Sequence, residues 1–158
     1  MMQIKKYCLF LASIGLSSIV TAAQPTELDN YLVKKDILDS SFKIKNTTAL
    51  NEILSAISEE DSRTLPFQVD QNMLMEKMQV SANKVEIEGI ITTPDFAQFA
   101  ESVGQQKVKQ LIKNNSLQNC ALLFEHQFQR NNPYSVNLKL MSTDQVYSFS
   151  IKNSECKF

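Results

Sequence analysis

Apolar positions recur along this chain with two different periods, helical in the first third and then mostly strand-like. Over residues 28–38, Leu28, Tyr31, Leu32 and Leu38 suit a short amphipathic helix, and Thr26 with Asp29 gives it a capping-box start. A clearer helix is predicted over residues 49–58, where Leu50, Ile53, Leu54 and Ile57 fall at i, i+3, i+4 and i+7. The acids Glu59, Glu60 and Asp61 are badly placed for the negative end of its dipole, which predicts fraying there and a loop cluster of carboxylates. After Pro66 the period shortens. Phe67 and Val69 alternate with polar neighbours, and residues 73–80 fit a strand or a loose helix. Val85, Ile87, Gly89 and Ile91 alternate with Glu86 and Glu88 as a half-buried strand, with Asn83-Lys84 as the turn before it.

Thr93-Pro94-Asp95 reads as an N-cap, a proline at the first helical position and an acid in the first turn. The helix it starts is expected to bury Phe96, Phe99, Ala100 and Val103, to continue or restart past Gly104 through Val108, Leu111 and Ile112, and to end at Asn114-Asn115. Two further strands carry Tyr134, Val136, Leu138 and Leu140, then Tyr147, Phe149 and Ile151, with residues 142–145 as the hairpin loop. Residues 120–129 fit both periods. Leu122, Phe124, His126 and Phe128 alternate as in a strand, while Ala121, Phe124, Glu125 and Phe128 make a helix face, and the strand is the preferred reading.

The first 23 residues change the picture most. Lys5 and Lys6, the uncharged apolar run 7–20 and the small residues Thr21-Ala22-Ala23 read as a secretory signal peptide, with Gln24-Pro25 opening a polar mature sequence. The apolar run is shorter than the ~20 residues of a membrane-spanning helix. Export predicts a periplasmic or secreted protein without stable membrane insertion after processing. The mature chain is then 158 − 23 = 135 residues, one domain over residues 24–158. With Lys5 and Lys6 gone, 16 − 2 = 14 basic residues face 17 acidic ones, a net charge of −3. That balance excludes the concentrated basic surface that nucleic acid or anionic lipid selects.

Cys8 leaves with the leader, so Cys120 and Cys156 remain and are expected to pair in an oxidising compartment. A simple three-strand meander from residue 120 conflicts with that pairing. It sets the two cysteines roughly 25–30 Å apart at about 3.3 Å per residue, whereas bridged Cα atoms lie within about 7 Å. The sheet is then strongly bent, the segment partly helical, or the bridge absent.

Candidate chemistry is sparse. His126, the single histidine, could act as a general base, but no nucleophile motif surrounds it, and a structural half-buried histidine fits its apolar neighbours better. Glu86 with Glu88, and Glu59, Glu60 and Asp61, could supply paired carboxylates for glycosidic cleavage, yet the chain has no tryptophan platform and solvated faces explain them better. One histidine and two separated cysteines make no zinc site, and Asp61 or Asp144 alone makes no calcium loop. Two glycines in the mature chain leave no phosphate-binding loop. Asn46-Thr47-Thr48 and Asn114-Asn115-Ser116 match glycosylation sequons. Met73, Met75 and Met78 are either an adaptable binding surface or filling for an irregular core, the second reading being preferred. Strand edges near Tyr134 and Tyr147 could add a partner strand.

Leu65-Pro66-x-x-Val69-Asp70, a hairpin region, a helix ending near Cys120 and a terminal Cys156 resemble the arrangement of small exported bacterial proteins, among them pilotin-like accessory proteins of secretion machines. The resemblance spans residues 65–156, and the chain departs from it by having no lipid-anchor cysteine. It implies a non-enzymatic α+β domain in the periplasm and transfers no site residues. The expected architecture is a small single α+β domain with N-terminal helices, an antiparallel sheet, one central helix packed on it and one disulfide, Cys120–Cys156. The expected function is binding of a protein partner, without a cofactor, as an accessory protein of the envelope. The alternatives are an inhibitor or immunity protein and, last, a hydrolase.

Overall fold

The structure, a computed structural model, describes residues 24–143 and 145–158; the expected leader with Cys8, and Asp144, lie outside them. Among the described residues the chain forms α1 (Glu27–Lys34), α2 (Thr47–Ser62), β1 (Phe67–Asp70), β2 (Met73–Val80), β3 (Lys84–Ile91), α3 (Phe96–Val103), α4 (Gln105–Gln118), α5 (Cys120–Leu123), α6 (Gln127–Asn131), β4 (Ser135–Met141) and β5 (Val146–Lys152). The strands make one sheet in the order β1-β2-β3-β4-β5. This is the expected small α+β domain with its Cys120–Cys156 bridge. The sheet is mixed rather than wholly antiparallel, because β3 and β4 pair in parallel. Parallel neighbours need a long crossover, and α3 to α6 supply it, so four helices stand where one was expected.

The register explains why one face is covered. Val80, Val85, Val136 and Ile151 lie in one cross-strand row, and Met78, Ile87, Leu138 and Phe149 lie in the next. Side chains alternate between faces, so the polar set Glu86, Glu88, Asn137, Lys139, Ser148 and Ser150 falls on the other side. Leu32, Leu50, Leu54, Phe124 and Phe128 from α1, α2 and the α5–α6 region complete the main core on the apolar face. Ala100 and Val108 from α3 and α4 form a second core with Leu140 and Tyr147. Gly89 lies in the cross-strand row of Leu140 and Tyr147, where a Cβ would meet the Leu74 carbonyl oxygen at 2.8 Å.

Several element ends differ from expectation. The first helix stops at Lys34, because Asp36 takes φ 59° and Leu38 bridges to Ile44 instead. Glu59, Glu60 and Asp61 do not form a loop but stay helical to Ser62. Packing outweighs the dipole penalty there: Ser58 Oγ accepts the Val80 N–H at 2.9 Å, and Arg63 pairs with Glu60. Thr93 does not cap α3; its hydroxyl donates to Asn72 at 3.1 Å, and the helix begins at Phe96 after Asp95 with φ 61°. Phe99 and Leu111, expected in the core, are 44% and 43% exposed, and Val103 is exposed as well. Asn114-Asn115 does not end α4, which runs to Gln118 and brings Leu117 against the core.

The largest correction concerns residues 120–129, which are not a strand. They hold α5 and the start of α6, and Arg130 clamps them by donating from Nε to the Phe124 carbonyl at 2.6 Å and from Nη2 to the Ala121 carbonyl. A helical path advances about 1.5 Å per residue, against about 3.3 Å in a strand. Residue 120 therefore stays beside the end of β5, and the bridged Cα atoms are 5.8 Å apart.

Asp29 ties the two ends of the helical layer together. Its fully buried carboxylate accepts from the Thr26 N–H at 2.9 Å and the Thr26 hydroxyl at 2.8 Å, which is the expected capping box of α1. It also accepts the N–H groups of Gln127 at 2.9 Å and Phe128 at 3.3 Å, the first two of α6. One carboxylate thus caps two helices. The Tyr147 hydroxyl is the opposite case: it is buried with no hydrogen-bond partner among the described residues.

Replacing Cys120 and Cys156 by Ser should cost about 4 kcal/mol in urea unfolding, the chain-entropy value for a 36-residue separation; an unchanged midpoint would contradict a formed bridge. Asp29→Ala strands several buried donors and should lose about 3 kcal/mol by the same measurement. Tyr147→Phe removes an unpaired buried hydroxyl and should gain about 1 kcal/mol, read as a higher melting temperature.

Candidate functional site

The apolar face is not wholly covered. Between α2 on one side and the α5–α6 joint on the other lies a cleft of about 440 Å³, floored by the sheet. Met73, Met75, Met78, Ile87 and Leu138 form its floor, Leu54 and Ile57 one wall, and Leu122, Leu123 and His126 the other. Two of its apolar lining residues stay exposed: Leu122 is 79% exposed and Val69, on β1, 40% exposed. Met73 is shared with a second depression of about 400 Å³ lined by Ile91, Phe96, Phe99, Ile112 and Leu140. A contiguous apolar surface of this kind is unusual on a domain with nothing to bind.

Strand β2 makes the floor possible. The register shifts between Met75 and Lys77, so Glu76 bulges out and Met78 returns to the face of Met73 and Met75. β1 pairs only with the start of β2, and α2 guards the rest of that edge through Ser58 and Asn51, whose Oδ1 accepts the Ala82 N–H at 2.8 Å. The methionines are half-buried, so they serve as cleft floor as well as core margin. Methionine repacks easily against a varied partner.

A larger depression, about 750 Å³, sits by the chain's last residues and is lined by Asn131, Asn132, Asn153, Arg130 and Lys152. Its polar groups are spent on the fold. Asn153 Nδ2 lies within hydrogen-bonding distance of the carbonyls of Gln129, Arg130 and Asn132, and Asn132 Nδ2 of those of Phe42 and Phe128. Arg130 is held by backbone carbonyls and lies over the Phe158 ring.

His126 lines the cleft, with Nδ1 2.8 Å from Thr26 Oγ1. The same threonine hydroxyl lies 2.8 Å from the Asp29 carboxylate, so His126, Thr26 and Asp29 form one hydrogen-bonded chain at the start of α1. The ring stacks on Phe128 at 5.5 Å. Glu86 and Glu88 lie on the opposite, polar face of the sheet. Lys84 pairs with Glu86 at 2.8 Å, while Lys139 and Lys77 bracket Glu88. The Lys139 hydrogen bond holds the Glu88 carboxyl below the usual carboxylate range, opposite to what a general acid requires. Of the acids at the end of α2, Asp61 reaches the cleft lining.

The two strand-edge candidates separate: Tyr147 belongs to the edge strand β5, whereas Tyr134 leads into β4, which is paired on both sides. Burial pushes the Tyr134 hydroxyl up to about 12, against an opposing hydrogen bond with Gln129. The sequon residue Asn46 is the N-cap of α2, accepting the Ala49 N–H at 3.0 Å, and Asn114 lies within α4. Among the described residues no cluster of three or more His, Cys, Asp or Glu could hold a metal ion, and no helix is long and apolar enough to cross a membrane.

Sequence reasoning missed Leu122 and Glu125 as cleft residues, since both are placed by the helical path of residues 120–129. The 2-then-3 spacing of Met73, Met75 and Met78 was the available signal for the bulge.

No protein-family model matches the chain, and no curated protein matches it significantly. Two solved structures share part of its shape at low identity. A candidate secreted protein of Pseudomonas aeruginosa superposes with a TM-score of 0.48 at 15% identity, over 70% of this chain and 96% of that one. A pilotin of the Vibrio vulnificus type 2 secretion system superposes with a TM-score of 0.45 at 15% identity, over 71% of this chain and 96% of that one.

Proposed function

We propose that this protein is an exported, non-enzymatic accessory protein of the bacterial envelope that holds an apolar segment of a protein partner in its methionine-floored cleft. In this reading residues 1–23 are the leader, and residues 24–158 are the domain that acts in the periplasm or outside the cell. The single observation that carries it is the cleft: a 440 Å³ apolar trough left open between two helical walls, with Leu122 and Val69 exposed in its lining. A small cofactor site would instead place convergent polar groups in the pocket. The cleft has few, and His126 is already engaged by Thr26. An amphipathic protein segment matches it better, because such a segment brings an apolar stripe and needs little from the floor beyond adaptable contact.

The reading is tested by placing a photo-activatable cross-linking residue at Met75 or Leu122 in the producing cell, with the same residue at Ser150 on the polar face as the control. Discrete protein adducts should form from Met75 and Leu122 and not from Ser150. Met75→Glu should cut adduct formation at Leu122 by about tenfold, since a partner would bury that charge unpaired. Equal labelling from both faces, or adducts at Leu122 that survive Met75→Glu in a folded protein, would overturn the reading.

A further inference from the structure

The two edges of the sheet are built differently. The β1 edge is guarded: β1 has four residues, its register shifts between Gln68 and Asp70, and Ser58 and Asn51 take the Val80 and Ala82 N–H groups beyond it. Short, bulged and covered edges resist the addition of a strand. The β5 edge has no such defence. β5 runs seven residues against β4 without a register shift, and it contains no proline and no acid. The ladder fixes which of its groups face outward. Asn153 N–H donates to the Tyr134 carbonyl at 3.0 Å and Ser142 N–H to the Gln145 carbonyl at 2.8 Å, and bonded pairs alternate along an antiparallel ladder. Tyr147, Phe149 and Ile151 therefore bond to β4, while Ser148 and Ser150 turn their N–H and C=O groups to the open side. Lys152 also faces outward, and its N–H is already taken by Glu155 at 2.8 Å. No described residue hydrogen-bonds the outward groups of Ser148 or Ser150, and both residues are exposed.

Outward N–H and C=O groups at every second residue are matched by another extended main chain. The sequence of β5 indicates which one. Val146-Tyr147-Ser148-Phe149-Ser150-Ile151-Lys152 has nearly the same pattern in both directions about Phe149. We propose that β5 is a self-complementary edge through which two copies of the chain join, antiparallel about a two-fold axis at Phe149, turning two five-stranded sheets into one. In that register Ser148 of each copy faces Ser150 of the other, outward group to outward group. Tyr147 faces Ile151, and Phe149 faces its own copy across the axis, so apolar side chains meet apolar ones, as favourable cross-strand pairs require. The one charge of the strand, Lys152, faces Val146 rather than a second lysine. A pair of seven-residue strands buries little area, so the dimer is weak and forms reversibly with concentration. This surface is separate from the methionine-floored cleft and does not depend on the role proposed for it.

Sedimentation velocity of the purified protein from about 10 μM to about 1 mM tests this, the range in which so small an interface is populated. A monomer–dimer equilibrium is expected across it. Ser148→Pro removes an outward N–H while leaving the β4 ladder intact, and should raise the dimer Kd about tenfold. A pair of charge variants supplies a second arm that keeps the strand free of proline. Ser148→Glu with Ser150→Lys sets opposite charges across the axis and should tighten the dimer about fivefold. Ser148→Glu with Ser150→Glu sets acid against acid and should weaken it by a similar factor. Gln68→Glu, on the opposite edge of the sheet, should leave the equilibrium unchanged. A protein that stays monomeric throughout the range overturns the proposal and leaves the edge to a strand of another protein. Association that is lost with Met75→Glu or Gln68→Glu but kept with Ser148→Pro runs through another surface and overturns it as well. Equal effects of the two charge pairs overturn the pairing about Phe149, and with it the self-complementary edge.

Discussion

A buried carboxylate that satisfies two helix N-termini at once is the constraint on which the helical layer depends. Asp29 lies one turn into α1, yet its oxygens also accept the first two N–H groups of α6, some hundred residues later. Each N-terminus alone offers unpaired donors and a partial positive charge. Joining them on one carboxyl group satisfies its oxygens in the interior and fixes how α6 meets α1. From this junction follow the placing of Phe128 in the core, the contact between Thr26 and His126, and the position of the α5–α6 link.

The disulfide closes the same region from the other side. Cys120 opens α5 and Cys156 follows β5, so the segment between α4 and α6 is held by a covalent bond at one end and by Asp29 at the other. That segment is one wall of the cleft. The facing wall, α2, is held to the sheet edge by Ser58 and Asn51. A trough between two independently anchored walls keeps its shape without an occupant, which lowers the ordering cost of binding one.

Much of the fold was legible because its signals were local. The capping box of Thr26 and Asp29, the i, i+3, i+4, i+7 face of α2 and the alternation of Val85, Ile87, Gly89 and Ile91 each arise within a few residues and survive in the structure. Misreadings came where distant contacts outweigh local preference. The acids at the end of α2 stay helical because β2 packs beside them, and Thr93 gives up capping for a bond to Asn72. Phe99 and Leu111 lie outside the core because α3 and α4 bury only Ala100 and Val108 fully. The cleft was half legible: Met73, Met75 and Met78 stood out, but their common face needs the bulge at Glu76, and the opposing wall needs the helical reading of residues 120–129.

The sequence alone pointed to the α+β class, to the helix faces of α1 and α2, to the alternation of β3, β4 and β5, and to Cys120 and Cys156 as the expected pair, because hydrophobic period and cysteine number are properties of the chain itself. Tertiary structure decided the parallel joining of β3 to β4, the two short helices that replace a strand over residues 120–129, and the open trough over the methionines. Those depend on which surfaces meet across long sequence separations. Leu122, Phe124, His126 and Phe128 alternate as well as any strand does, and what holds them instead as two short helices and their link is a carboxylate at position 29 and a disulfide at position 156, neither of which any window around them contains.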